Sequence, residues 1–478
     1  MMEGHKVVSA QEMARVEKGG DPEAYMAEAG RKVAEIAIRY IETHHLSKQI
    51  TLLIGKGNNG GDAYAAGICL LEEGYQVHAY PLYDAASPLN QKFKDKFRKK
   101  RGQFFPKMEG LIIDGLLGTG FKGKVEKKMA AIIELANGSG LPIIAIDIPS
   151  GLNGTTGEAG VAIHAAETAA LGMAKIGFFI DQGWNYVGKL RIVDFGLSKE
   201  ALAAADPIAY LPKQLQLPKI PRIRHKYQAG YVVGYAGSNV FPGAAKMAGL
   251  AALRSGAGIV RIYHAGDIGP APLELILNEW DSLGWQYVLK KAQSVFVGPG
   301  LGTTKDWLKK HLKDIKQPCV IDADALQPGV SYPKQAVLTP HRGEVLRLLG
   351  LKQAPSEEVL FAKITQFCAR KGLYVVLKGA PTFIFGPKHK PMIVPRGDPG
   401  MATAGTGDVL TGVIAALLAQ QVAPYEAAIL GVTLHAIAGE IAAEKKTSYC
   451  MIASDLIEFL PAAFQELMQS PDLELTSV

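Results

Sequence analysis

Short apolar runs recur along the chain, and most of them stop at a glycine-rich or acidic turn. In the first half ITLLIG (50–55) runs into KGNNGGD, LIID (111–114) into GLLGTG, PIIAID (142–147) into IPSG, and LRIVD (190–194) into FGL. A further run, YQVHAY (75–80), ends at Pro81, and helix-like segments such as AYAAGICLLEEG (63–74) lie between the runs. Apolar runs alternating with helices predict a parallel sheet covered on both faces. Ligands of such sheets gather at the carboxyl ends of the strands, where these turns lie.

The pattern breaks at 198–228, which holds Pro207, Pro212, Pro218 and Pro221 and no sustained period, as expected of a linker between domains. It then restarts. GYVVGY (230–235) leads through AGSNVFPG into a predicted helix over 244–256, and SVFVG (294–298) leads into PGLGTT. CVIDADAL, AVLTPHRGE and LYVVLKGAPT repeat the strand-then-turn order, and helices are predicted near 406–419, 424–443 and 452–467. The expectation is two α/β domains, 1–210 and 222–478, in keeping with 478 residues at roughly 100–200 per domain.

Composition narrows the function classes. With 48% hydrophobic and 20% charged residues the chain can bury a sizeable core. A net charge of +7 suits anionic small molecules such as nucleotides and gives little support to a nucleic-acid partner. The densest basic run, KFKDKFRKKR (92–101), reads as a solvated helix face with Phe93 and Phe97 turned inward at i, i+4 spacing. Cys69, Cys319, Cys368 and Cys450 are too scattered to predict disulfides or structural zinc. The opening MMEGHKVVSAQEM has no apolar signal core. The most apolar region, 409–442, is interrupted by Thr411, Gln420, Gln421, Pro424, Glu426 and His435 and reads as two buried helices, so no membrane partner is expected. A cytoplasmic enzyme follows as the expectation.

GKGNNGG fits G-x-G-x-x-G at Gly55, Gly57 and Gly60, the fingerprint of dinucleotide folds. Such folds carry an acid about 20 residues on, at the end of the second strand. Here that strand ends in Pro81 with no acid, which weighs against an ordinary dehydrogenase. Asn58 and Asn59 offer carbonyl oxygens as well as amide donors, and such oxygens suit a hard cation. Asp62 is placed either to cap the following helix or to serve a site. Asp114 and Asp147 each end a strand, as turn formers or as acid–base or cation-binding groups. Ser150 and Gly151 follow in DIPSG.

GKGNNGGD, DGLLGTG and DIPSGLNG, with SAQEMARVEK and YMAEAG before them, together resemble the hydrated-NAD(P)H epimerase family over roughly residues 5–200. The resemblance implies a Rossmann-like three-layer domain that interconverts the two epimers of NADH or NADPH hydrated at ring carbon 6. It implies that Asn58, Asn59, Gly60, Gly61 and Asp62, and Gly118, Thr119, Gly120, Phe121, Lys122, Gly123 and Lys124, line the substrate. Asn59, Asp114 and Ser150 would hold potassium. Asp147 would contact the nicotinamide ring as the acid–base candidate. The usual aspartate of the first helix is Glu17 here.

The chemistry of the second half centres on GMATAGTGDVLTG (400–412), where Asp408 is the single charge among small side chains. Backbone N–H groups at a glycine-flanked helix start bind anions. A carboxylate beside a transferring phosphoryl group repels it unless it takes a proton from the attacking hydroxyl, which points to a general base. GTGD resembles the anion hole and catalytic aspartate of ribokinase-fold enzymes. HKYQAGYVVGYAGSNVFPGAAKMAGLAALRSGAG, GPGLG, DADAL, TPHRGE and KGAPT resemble the nucleotide-dependent dehydratases of hydrated NAD(P)H, from about 223 to 465. That resemblance implies a ribokinase-like domain in which Lys378, Gly379, Ala380, Pro381, Thr382 and Gly407 bind ADP or ATP with magnesium. Gly405 and Thr406 would complete the anion hole. Ala244, Gly300, His341 and Asp408 would meet the hydrated cofactor. Relatives of this kind tend to assemble, so a homo-oligomer is expected. HKYQAG stands where the family often has HKG, Asp398 where it often has asparagine, and APLELILNEW matches poorly. Two other classes remain open on sequence: an ADP- or ATP-dependent kinase of a small alcohol or vitamin precursor, and a nucleotide-binding scaffold without catalysis.

Overall fold

The computed structural model describes residues 4–270, 272–302 and 305–470. Thr303 and Thr304 of the PGLGTT turn, Ala271 of the poorly matching stretch, and the outer ends of both expected domains lie outside the described residues. The chain divides into two compact units, with the change falling between Tyr210 and Leu211. The stretch expected to be a bare linker carries a helix, Lys199–Ala204, and a strand, Ala209–Pro212.

The first unit is built on a seven-stranded sheet in the order Gln103–Phe104, Gln76–Pro81, Gln49–Ile54, Leu111–Gly115, Ile143–Ile146, Glu167–Leu171, Lys189–Val193. Every pair in it is parallel. The chain starts in the middle, winds to one edge, and returns to wind to the other. The crevice therefore opens between Gln49–Ile54 and Leu111–Gly115. Phe93 and Phe97 of the basic helix Pro88–Lys99 are buried, as their spacing predicted.

In the second unit seven parallel strands run in the order Ile276–Glu279, Ile259–Ala265, Tyr231–Ser238, Ser294–Val297, Cys319–Ile321, Val337–Leu338, Tyr374–Leu377. An antiparallel hairpin, Thr382–Gly386 and His389–Val394, extends that sheet. The expected C-terminal helices are Thr406–Ala419, Pro424–Lys446 and Ala453–Gln469. Pro424–Lys446 has the length and hydropathy of a membrane span, but 78% of its apolar window is buried inside the protein. Thr406–Ala419 lies so close to Pro242–Arg254 that a Cβ at Gly412 would stand 2.0 Å from the carbonyl oxygen of Ala248. Only glycine permits that approach.

Two candidate active sites

At the crevice of the first unit the helix Asn58–Glu72 starts directly after the strand, with Gly57 as its N-cap and no side-chain cap. The glycine-rich segment expected to form a turn up to Asp62 is the first turns of this helix, so Asp62 lies inside the helix and does not cap it. Asn59 Nδ2 donates to the Leu117 carbonyl at 2.8 Å. Asp114 is fully buried. Its Oδ1 accepts the Ser150 hydroxyl at 2.6 Å and the Leu116 N–H at 3.1 Å, and its Oδ2 accepts the Ser150 N–H at 2.8 Å. Burial pushes the Asp114 carboxyl up to about 6, against the lowering effect of those bonds. All its partners are neutral, so the site lacks a positive charge that a cation would supply. The oxygens of Asn59, Asp114 and Ser150 are of the donor type that a hard cation takes.

Asp147 follows Ile143–Ile146 with φ +67, an uncommon conformation for a non-glycine residue and one associated with functional sites. Its Oδ2 accepts the Thr119 N–H at 3.2 Å, which ties the Gly118–Lys124 loop to it. In that loop Gly120 and Lys122–Lys124 are exposed. Its Oδ1 meets Lys175 Nζ at 2.5 Å, and Lys175, with no exposed surface, also donates to the Leu171 carbonyl at 2.9 Å. Sequence reasoning missed Lys175. The available signal was a lysine set in the apolar run ALGMAKIGFF. The strand Gly4–Val8 pairs with Ala174–Lys175, Val8 opposite Lys175, and leads through the Ser9-capped helix Ala10–Val16 to Glu17. Burial, and then the charge of Asp147, raise the Glu17 carboxyl to about 7. Burial also raises Asp62 well above the carboxylate range, with Asp147 and Glu17 adding to the effect.

In the second unit Gly405, at φ +95, opens the helix Thr406–Ala419 and puts Asp408 in its first turn. Asp322 ends Cys319–Ile321 and Lys378 ends Tyr374–Leu377. Lys378 Nζ donates to Asp322 Oδ1 at 2.8 Å, and the Thr411 hydroxyl donates to Oδ2 at 2.9 Å. Burial opposes the Lys378 charge, but Asp322 outweighs it and holds the ammonium above its ordinary range. The Asp408 carboxyl is raised to about 7, first by burial and then by Asp322, while Lys378 pulls it down. A Cβ on Gly407 would lie 3.2 Å from Lys378 Nζ, so the backbone of the GTGD turn and this ammonium share one locus. His435, pushed down to about 4 by burial and therefore neutral, donates from Nε2 to the Thr406 carbonyl at 2.9 Å and braces the turn. Asp322, Thr411 and His435 had no role assigned from sequence.

The other expected residues divide. Gly300, at φ +62, and Ala244 are neighbours, since a Cβ on Gly300 would come 2.8 Å from that of Ala244. His341 pairs in register with Lys378 and caps the helix Arg342–Leu348 through Nδ1, which accepts the Gly343 N–H at 3.0 Å. Its side chain is 60% exposed, with Nε2 3.6 Å from Glu344 Oε2. Gly379–Pro381 turn after Lys378 into the hairpin strand that Thr382 begins, and the Thr382 hydroxyl donates to the Gly379 carbonyl at 3.0 Å. Asp398 caps the turn Pro399–Met401: Oδ1 accepts the Gly400 N–H at 2.7 Å and Oδ2 accepts the Ser448 hydroxyl at 3.1 Å.

Comparison with known proteins gives these two sites a context. Residues 22–177 match the family described as YjeF-related protein N-terminus, and residues 232–462 match the NAD(P)H-hydrate dehydratase family. A bifunctional NAD(P)H-hydrate repair enzyme of Moorella thermoacetica is 31% identical over 526 aligned positions, covering 96% of this chain and 97% of that one. The chain belongs to the bifunctional NAD(P)H-hydrate repair enzyme family. The member from Escherichia coli is 33% identical over 86% of this chain and 84% of its own. An ADP/ATP-dependent NAD(P)H-hydrate dehydratase from Bacillus subtilis, crystallised with ATP and Mg2+, is 28% identical over 52% of this chain and 94% of that one, with a TM-score of 0.47. Both family matches fall within single units, and each match contains one of the two carboxylate sites described above.

Proposed function

We infer that the chain repairs hydrated NADH and NADPH, the first unit interconverting the two epimers and the second dehydrating one of them at the expense of ADP or ATP. Asp408 carries the reading: a carboxyl near 7, at a glycine-started helix and beside a lysine, is suited to take a proton from a substrate hydroxyl next to a phosphate. Asp408 removes the proton from the ring hydroxyl, whose oxygen attacks the terminal phosphorus of the nucleotide. The N–H groups of Gly405, Thr406 and Gly407 and the Lys378 ammonium receive the phosphoryl oxygens. The ring nitrogen then expels phosphate, a far better leaving group than hydroxide, and the dihydropyridine re-forms. Lys378–Thr382 hold the nucleotide, and Ala244, Gly300 and His341 face the hydrated cofactor. Magnesium accompanies the nucleotide, as in the Bacillus subtilis dehydratase crystallised with ATP and Mg2+.

In the first unit Asn58–Asp62 and Gly118–Lys124 hold the substrate and Asp147 faces the nicotinamide ring. Asn59, Asp114 and Ser150 hold potassium, which supplies positive charge beside the buried Asp114. The ring nitrogen of the hydrate can expel its hydroxyl, and the planar cation that results takes water back on either face. An anion nearby stabilises it.

The test supplies an epimer mixture of hydrated NADH with magnesium, potassium and either ADP or ATP, and follows the absorbance of reduced nicotinamide. Complete recovery is expected, stalling at one epimer's share in Asp147→Asn and absent in Asp408→Asn. The nucleotide that supports recovery is the donor. No recovery by folded protein with either nucleotide overturns the dehydratase reading. A stable phosphorylated alcohol in place of NADH would assign a kinase.

A further inference from the structure

Four ionisable side chains with interacting charges converge at the first site: Asp62, Asp147, Lys175 and Glu17. The single ammonium pairs with Asp147 and acts on Glu17, while Asp62 feels only the two carboxyls. One ion pair is sustainable in such a place, but a second and third unpaired carboxylate there are costly. Geometry shows which carboxyl is paired. Asp147 has Lys175 on one oxygen at 2.5 Å and the Thr119 N–H on the other at 3.2 Å. Asp62, only 9% exposed, accepts no hydrogen bond among the described residues. The helices packed on its turn bring Met26 and Asn90 against Gly60 and Gly61, both neutral. The charges that reach Asp62 are those of Asp147 and Glu17, both negative. With no donor and no counter-charge, and with oxygens open to the site, this carboxyl holds a proton more tightly than an ordinary aspartate and can pass it to a ligand that reaches it.

We propose that the carboxyls divide the epimerisation: Asp147, clamped by the positioning residue Lys175, stays a fixed anion beside the ring cation, and Asp62 is the catalytic acid and base that carries the proton. This rests on the epimerase reading above. The bond from ring carbon 6 to oxygen breaks with its electron pair on oxygen, which takes the Asp62 proton and leaves as water. The lone pair of the ring nitrogen forms the double bond to carbon 6. Water then bonds to the opposite face of carbon 6 as that pair returns to nitrogen, and its spare proton goes back to the Asp62 carboxylate. Glu17 adds to the negative field that keeps the proton on Asp62.

The experiment uses the full chain without nucleotide, one purified epimer of hydrated NADH, and chromatographic separation of the epimers across a pH series. Asp62→Asn is expected to lower kcat by on the order of 10²–10⁴ while KM moves far less. Lys175→Met leaves the Asp147 carboxyl without the ammonium that holds it at 2.5 Å, so kcat falls while KM moves far less. Lys175→Arg, which puts a cation back beside that carboxyl, returns kcat toward wild type. Nucleotide-dependent dehydration in the same preparations reports that the second unit is intact, and thermal melting reports on the first. If Lys175→Met melts early, Lys175→Arg and Asp62→Asn decide. A wild-type protein that leaves the epimers unexchanged removes the epimerase reading itself. A wild type that exchanges them, with Asp62→Asn or folded Lys175→Met within about threefold of it in kcat, overturns this division of labour alone.

Discussion

Dehydration at the second site should ramp with pH in a way that one substitution moves. Asp408 works as a base only when ionised, and its carboxyl sits near 7. At pH 6 about one molecule in eleven has the ionised form, and at pH 8 about ten in eleven, so kcat rises about tenfold across that span. After burial, the charge of Asp322 is the next cause of that elevated value. Asp322→Asn removes the charge and also releases Lys378, held at 2.8 Å, to turn toward Asp408. Both changes favour the carboxylate, so the ramp slides to lower pH. The rate at pH 6, relative to that at pH 8, climbs from about a tenth toward equality, even as the absolute rate falls through loss of the Lys378 and Thr411 anchors. The assay is the reappearance of reduced-nicotinamide absorbance at saturating hydrate and nucleotide, with excess magnesium to keep the nucleotide in one ionic form. A wild-type rate flat between pH 6 and 8, or an Asp322→Asn ramp that stays in place or moves upward, refutes the reasoning.

Three further outcomes follow from packing and burial. Gly412→Ala forces a Cβ to 2.0 Å from the Ala248 carbonyl, a backbone atom that yields only if the helices part. A cost of about 1–3 kcal/mol, at about 2–4 °C per kcal/mol, should appear in melting of the second unit, with dehydration reduced and epimer exchange unchanged. Ser150→Ala strips Asp114 of its 2.6 Å donor and leaves the Leu117 N–H without its 2.8 Å acceptor. The loss of about 1–3 kcal/mol should lower the melting point and raise the potassium concentration needed for half-maximal epimerisation. Glu17 titrates near 7 in the fold against an ordinary 4.5, so the folded chain binds that proton more tightly than the unfolded one. Its stability contribution is complete below pH 4.5 and is lost as pH rises through about 7. Glu17→Gln should therefore melt above wild type at pH 8 and level with it at pH 4. An equal difference at both values contradicts the burial of this carboxyl.

The sequence was most legible where an element declares itself locally. ITLLIG, LIID, PIIAID and LRIVD are all strands ending at glycine or aspartate, because parallel strands buried on both faces need uninterrupted apolar runs and their ligand ends need tight turns. Glu167–Leu171 and Ile276–Glu279 were not anticipated: ETAAL is alanine-rich and ILNE half polar, and pairing with neighbouring strands decides both. The early start of the helix at Asn58 was hidden by its glycines, which read as a turn until neighbouring helices pack against them. The carboxylates Asp114, Asp147 and Asp408 stand out in sequence because each follows a strand or a glycine turn. Asp322 carries the same mark in CVIDADAL, but its bond to Lys378 does not, and Lys175 carries none, because those partners lie 56 and 28 residues away in the chain. A charge pair made by tertiary folding leaves no local trace.

Asp398, the departure from the family's usual asparagine, has both oxygens engaged by Gly400 and Ser448. Asparagine would keep a carbonyl oxygen for Gly400 and present its amide to a serine hydroxyl that needs only to rotate to accept. The two residues are therefore near-equivalent to the turn, but both partners of the carboxylate are neutral, so its negative charge remains. What the aspartate adds is one negative charge at the turn Pro399–Met401, just ahead of the glycine-started helix that carries Asp408.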